Sequence, residues 1–215
     1  MVFIKKLALS NLPKFDIVEG FTWSVKTSDD EGKAKLKSLL KQKLLDGAEI
    51  LLAVEDSNVV GFAIILNWQA LPDAKFLDSI EVARPYRNKG IGSTIMHRIF
   101  EEWDTLIALE PLSEPHYEEK LIKFYQRFGF KTITSDLITP VIMTRIPRNN
   151  EKLKEWIEYI NKRIDEYSYQ TYQIQPILHI WGRRYAPWLK FTGDVYPTLL
   201  QEMKKCIEEQ ENLIK

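Results

Sequence analysis

Phe76-Leu-Asp-Ser-Ile-Glu-Val-Ala-Arg-Pro-Tyr-Arg-Asn-Lys-Gly-Ile-Gly-Ser-Thr-Ile-Met96 runs an apolar strand into a basic, glycine-bearing turn that opens an amphipathic helix. The first amides of a helix lack intrahelical partners and sit at the positive end of its dipole, so they can hold anionic oxygens. Gly90 and Gly92 let the backbone approach a ligand with no Cβ in the way, and Arg87 and Lys89 add positive charge. The stretch reads as a cradle for a polyphosphate.

A dinucleotide fingerprint of the form G-x-G-x-x-G would need glycine at 95, where this chain has Ile95, although Glu110 stands near the distance of a ribose-binding carboxylate. Arg87-Asn88-Lys89-Gly90-Ile91-Gly92 instead follows the pattern R/Q-x-x-G-x-G/A, and Val82 to Arg87 has the approach that precedes such a loop. Downstream, Leu121-Ile-Lys-Phe-Tyr-Gln-Arg-Phe-Gly-Phe130 is a helix ending in aromatic residues, then Gly-Phe entering a strand. With both motifs in this order, the chain resembles the GNAT N-acetyltransferase superfamily over roughly residues 1–147. Where that family often carries asparagine and a small residue, this chain has Glu118 and Leu121.

The surrounding periodicities predict an α/β fold: a mixed, mainly antiparallel central sheet flanked by helices. Strands are expected at 3–9, 50–54, 59–66, 76–82, 105–109, 130–134 and 141–146. Helices are expected at 32–45, with Leu36, Leu39, Leu40 and Leu44 on one face, after the cradle, with Ile91, Ile95, Ile99 and Phe100 facing the sheet, and at 117–128, stopped by Gly129. Glu55-Asp-Ser-Asn58 is turn chemistry and predicts a hairpin.

From Pro147 the character changes, and residues 148–215 read as a helical extension. Leu153, Trp156, Ile157, Ile160 and Ile164 make one apolar face, and Tyr196, Leu199, Leu200, Met203 and Ile207 another. So short an extension is expected to dock on the core or on a second subunit, as in a homodimer. Between its helices, Trp181, Arg183, Arg184, Tyr185 and Trp188 could meet nucleic acid. Packing is the preferred reading, because binding nucleic acid requires net phosphate neutralisation and the local charges nearly cancel.

Thirty basic residues balance thirty acidic ones among 215, so no global field draws the chain to nucleic acid or an anionic membrane. No apolar stretch is long enough to cross a bilayer, and the N-terminus lacks the apolar region of a signal peptide. The single Cys206 suits a reducing, cytoplasmic setting. His97, His116 and His179 are scattered without metal-ligand spacing, so no metal is expected.

The resemblance implies an acyl-CoA-dependent N-acyltransferase that moves acetyl from acetyl-CoA to an amine acceptor by direct attack. It implies that amides from Arg87, Asn88, Lys89, Gly90, Ile91, Gly92 and Ser93 bind the coenzyme A diphosphate, and that Ile80, Glu81 and Val82 pair with the pantetheine arm. It also implies Tyr125 as general acid towards the sulfur. Asp78 is the preferred general base, Glu81 the second candidate, and Glu110 and Glu118 reserves. Strict alternation puts Asp78 and Glu81 on opposite sheet faces unless a bulge intervenes. Two other readings stay open: a non-catalytic coenzyme-A-binding module, and a dinucleotide-dependent oxidoreductase.

Overall fold

The computed structural model describes residues 1–67, 73–111, 117–133 and 142–147, together with helical positions Glu151, Lys154, Glu155, Glu158, Tyr159, Lys162, Lys204 and Lys205. The segment Trp181 to Trp188, the loop 69–72 and Cys206 lie outside the described residues. The chain divides into two units: Met1–Asn67, Phe76–Trp103 and Ser113–Pro115 in the first, and Trp68–Lys75, Asp104–Leu112 and His116–Lys215 in the second.

In the first unit, β1 (Phe3–Lys6) is shorter than the sequence predicts, because the chain turns at once: Ala8 N donates to Asn11 Oδ1 at 2.9 Å. Next comes β2 (Asp16–Ile17), a two-residue strand with no period of its own to announce it. Helix α1 (Asp30–Leu45) starts two residues before the predicted boundary, since Asp29 caps it by accepting from Gly32 N at 2.7 Å. The apolar runs become β3 (Glu49–Glu55) and β4 (Asn58–Asn67), joined through Asp56 and Ser57 at φ 48° and 70°. Two positive φ values are what a type I′ hairpin turn requires. β5 (Lys75–Val82) leads into α2 (Ile91–Glu102).

The strand order here is β1-β3-β4-β5, with β2 parallel to β4 while β1/β3 and β3/β4 are antiparallel. The two faces of β4 hold different helices. Phe62 and Ile64 pack with Leu36 and Leu40 of α1, Ile50, Leu52 and Phe21. On the other side, Gly61 leaves room for α2: a Cβ there would stand 3.4 Å from Ile95 Cδ1. Each fully buried Leu, Ile or Phe contributes about 1.5–3 kcal/mol, so these layers fix the frame that carries the strand ends. The stripe of α2 is Ile91, Ile95, Met96 and Ile99, with Phe100 only half-buried.

The second unit holds β6 (Ile107–Leu109), α3 (Glu118–Gln126), β7 (Lys131–Ile133) and β8 (Ile142–Arg145). Here β8 lies between β6 and β7, antiparallel to both. Gly129, at φ 83°, ends the turn after α3 where the sequence predicts a stop. The strands and helices are those of the expected mixed, mainly antiparallel sheet flanked by helices. Among the described residues, no helix is long and apolar enough to cross a membrane.

Candidate active site

Beyond Val82 the chain makes one 3-10 turn, Arg84–Tyr86, and Arg87 then extends into the loop before α2. Asn88 at φ 61° and Gly90 at φ 79° bend the backbone left-handed, and Gly90 is the residue from which α2 starts. The first intrahelical bond is Thr94 N to Gly90 O at 2.9 Å. The amides of Asn88, Lys89 and Gly90 meet no backbone acceptor among the described residues, and those of Ile91, Gly92 and Ser93 are the orphan donors of a helix start. A Cβ on Gly90 would meet nothing within 4 Å, so it is the left-handed φ and not crowding that calls for glycine there. Consecutive N–H groups beside a helix N-terminus can form a concave anion site.

The basic side chains divide their work. Lys89 Nζ lies over the Tyr86 ring, 5.1 Å from its centroid. Arg87 donates from Nε to Val82 O at 2.9 Å and from Nη2 to Thr22 Oγ1 at 3.0 Å. Its guanidinium ties the end of β5 to a loop 65 residues earlier while keeping positive charge beside the cradle.

Both preferred carboxylates are engaged. Asp78 Oδ2 accepts from Lys43 Nζ of α1 at 2.9 Å. Glu81 is 5% exposed; its Oε1 accepts from Thr22 N at 2.7 Å and Trp23 N at 2.8 Å, and its Oε2 from Ser24 N at 3.0 Å. Asp78 meets α1 itself, and Glu81 meets the loop whose Phe21 belongs to the core beneath α1. Both therefore lie on the α1 side of the sheet, and strict alternation is broken between them. Ile80 and Val82 flank Glu81, half-buried.

In the second unit, Tyr125 is buried on α3, its ring 5.6 Å from Phe130 and 5.3 Å from Phe124. Burial raises the pKa of its phenol, which therefore stays protonated through neutral pH. Glu110 follows β6. Its Oε1 is buried and makes no hydrogen bond, and burial raises its pKa from 4.5 to about 7. A carboxylate so poised can exchange protons at neutral pH. In the sequence Glu110 stands out for its place directly after the apolar run Ile107-Ala-Leu109 and its distance from the glycine turn, and is a reserve candidate for the base. Nothing local signalled the partners of Glu81. The side chain of Glu118 lies outside the described residues.

Residues 46–132 match the acetyltransferase (GNAT) domain family. Over those residues the chain is similar to GNAT acetyltransferase domains. Among solved structures, an acetoin utilization protein from Exiguobacterium sibiricum is 18% identical with a TM-score of 0.53, covering 77% of this chain and 91% of its own. A GNAT-family acetyltransferase from Bacillus cereus is 15% identical with a TM-score of 0.49, covering 69% and 99%. A GNAT-family acetyltransferase from Elizabethkingia anophelis, with acetyl-CoA bound, is 15% identical with a TM-score of 0.44, covering 67% and 97%. At these identities the likeness to the Exiguobacterium protein is one of fold. No curated protein matches the sequence. The cradle at Arg87 to Ser93, and β5 that feeds it, lie within the matched residues.

Proposed function

We propose that this GNAT-like domain is an acetyl-CoA-dependent N-acetyltransferase in which an amine attacks the thioester directly. The observation that carries the reading is the run of amides from Asn88 to Ser93, at and before the start of α2, that have no backbone acceptor among the described residues. Those N–H groups would hold the diphosphate, with Lys89 adding charge. Backbone groups of Ile80 to Val82 would pair with the pantetheine amides.

An acceptor with a lysine-like pKa of about 10.4 arrives as an ammonium and must lose a proton before its nitrogen can bond to the acetyl carbon. Glu110 takes that role in this proposal, because its carboxylate has an orphan oxygen and a pKa of about 7. Asp78, whose Oδ2 is ion-paired with Lys43, and Glu81, whose two oxygens accept from three amides, are set aside as bases. As the carbon–sulfur bond breaks, Tyr125 donates its phenolic proton to the leaving sulfur. Burial keeps the proton on the phenol at neutral pH but makes it a weaker acid than a free tyrosine, so the donation is coupled to carbon–sulfur cleavage, when the developing thiolate becomes its acceptor.

Two titrations and one assay test the proposal. Calorimetry should detect acetyl-CoA binding and no comparable binding of NADH. Release of free coenzyme A thiol, slow with water alone, should accelerate with at least one member of a panel of primary amines. Binding without any amine-dependent thiol release would reduce the domain to a coenzyme A binder.

A further inference from the structure

The outer face of α3 carries a basic stripe that acetyl transfer leaves unused. Lys120, Lys123, Phe124 and Arg127 recur at helical spacing, and Arg127, the C-cap residue at φ −61°, keeps the helical course. Tyr125 of the same helix is buried, whereas Lys120, Lys123 and Arg127 are exposed. With Gln126 and the half-buried Phe124, these three cations line a cleft of about 570 Å³.

The cations of α3 are held differently from those of the other helices. In α1, Lys33, Lys35 and Lys43 each meet an acidic side chain, and in α2 Arg98 meets Glu101 and Glu102. On α3, Lys123 Nζ stands 2.7 Å from Glu119 Oε1, with both side chains exposed. Lys120 and Arg127 have no ion pair among the described residues. Lys120 Nζ instead lies 5.3 Å from the centroid of the Tyr117 ring, and Arg127 Cζ 5.5 Å from that of Phe124. An aromatic face steadies a cation without using its N–H donors, and a stacked guanidinium keeps a fork of donors at its edge. Arg127 can therefore grip a carboxylate with two parallel hydrogen bonds, while Lys120 and Lys123 supply point charges beside it.

The size of the stripe selects the kind of anion. Seven residues separate Lys120 from Arg127, roughly 10 Å along the helix axis, which matches about three residues of an extended peptide. Nucleic acid is held in proportion to the phosphates neutralised, and three cations, one already paired, in a chain of thirty basic and thirty acidic residues neutralise few. One face of each ring on which a base would stack is also covered, by Lys120 and by Arg127. Charge complementarity and length both fit a short acidic stretch of polypeptide.

We propose that the outer face of α3 is a docking site for an acidic polypeptide segment, anchored by Arg127 and Lys120, with an incoming carboxylate displacing Glu119 from Lys123. None of these side chains belongs to the proposed acetyl-transfer machinery, so docking can be measured without cofactor.

The test is fluorescence anisotropy of the full chain with a fluorescein-labelled hexapeptide of alternating glutamate and aspartate. The parent should bind it in low salt and lose it as the salt rises. Lys120→Glu and Arg127→Glu should each weaken binding about tenfold, since each replaces an attraction with a repulsion. Lys120→Gln and Arg127→Gln, gentler on the fold, should each weaken it about threefold, with far-UV circular dichroism like that of the parent. Glu119→Gln should tighten it about twofold by releasing Lys123. A parent that does not bind the peptide, binding indifferent to residues 120 and 127, or equal binding of hexalysine would overturn the proposal. Tighter binding of hexauridylate than of the acidic peptide would also overturn it, making the stripe an RNA site.

Discussion

Lys43 Nζ stands 2.9 Å from Asp78 Oδ2, the aspartate side chain 7% exposed and the lysine 26%. The lysine occupies the last turn of α1, where a cation also meets the negative end of the helix dipole. The pair therefore fastens α1 to β5, and the two single variants should not be equivalent. Lys43→Met leaves a buried carboxylate with no cation and a long, 3.5 Å hydrogen bond from Ser79 Oγ, whereas Asp78→Asn leaves a lysine that can reach water. We expect urea denaturation to show a loss of about 2–4 kcal/mol for the first and about 1–2 kcal/mol for the second. Asp78→Asn should also keep turnover within about threefold, since general-base loss costs far more. A collapse of turnover in well-folded Asp78→Asn would return Asp78 to the chemistry.

Tyr125 joins packing to the proposed proton donation. Its ring meets Phe124 and Phe130 at tilted, edge-type angles, contacts that phenylalanine can reproduce. Tyr125→Phe is therefore expected to melt within a few degrees of the parent and to bind acetyl-CoA equally well. Its turnover should fall about a hundredfold, the scale of a lost general acid. Thiol-release kinetics beside a thermal melt separate the two roles, and full turnover in the variant would remove the phenol from the mechanism.

Glu110 makes two pH-dependent statements with opposite signs. Burial raises its pKa in the folded chain from 4.5 to about 7, so between those values the folded state holds a proton that the unfolded state has lost. Stability from this group is thus fully present below pH 4.5 and declines as pH rises through about 7. Turnover should move the other way, rising as the carboxylate ionises. Glu110→Gln is expected to flatten the stability slope in that window and to lower turnover about a hundredfold with loss of the acidic limb. A parent rate that is flat from pH 5.5 to 8 would argue against Glu110 as base.

The legible parts of this chain were those whose signal is local. β3, β4 and α2 each carry an apolar period long enough to outweigh competing structures, and the cradle is written in consecutive residues from Arg87 to Ser93. The two-residue β2 has too few positions to show any period. Pairing between positions far apart in sequence was equally silent. Glu81 reads as a strand carboxylate, and only the folded chain brings it to three amides some 57 to 59 residues earlier. The same holds for Arg87: its charge was visible, its use in holding Thr22 was not. Burial explains the shift in emphasis from Asp78 to Glu110, since desolvation depends on neighbours that no spacing rule supplies.

The hairpin between β3 and β4 offers a test of the local signal itself. Asp56 and Ser57 both sit at positive φ, 48° and 70°, a conformation in which a Cβ is strained by about 1–2 kcal/mol per residue. Ser57 O accepts from Asp16 N at 3.1 Å, a backbone bond that any residue at 57 can supply. Ser57→Gly therefore relieves strain without removing that partner, though the more flexible unfolded glycine offsets part of the gain. The net expectation is a stabilisation of about 0.5–1 kcal/mol, a rise of a few degrees in Tm. Ser57→Val, with a branched Cβ at the same φ, should instead destabilise by more than about 1 kcal/mol. Thermal melts of the two variants decide the matter: a glycine variant less stable than the parent would mean that the serine hydroxyl, rather than the strained backbone, sets the energy of this turn.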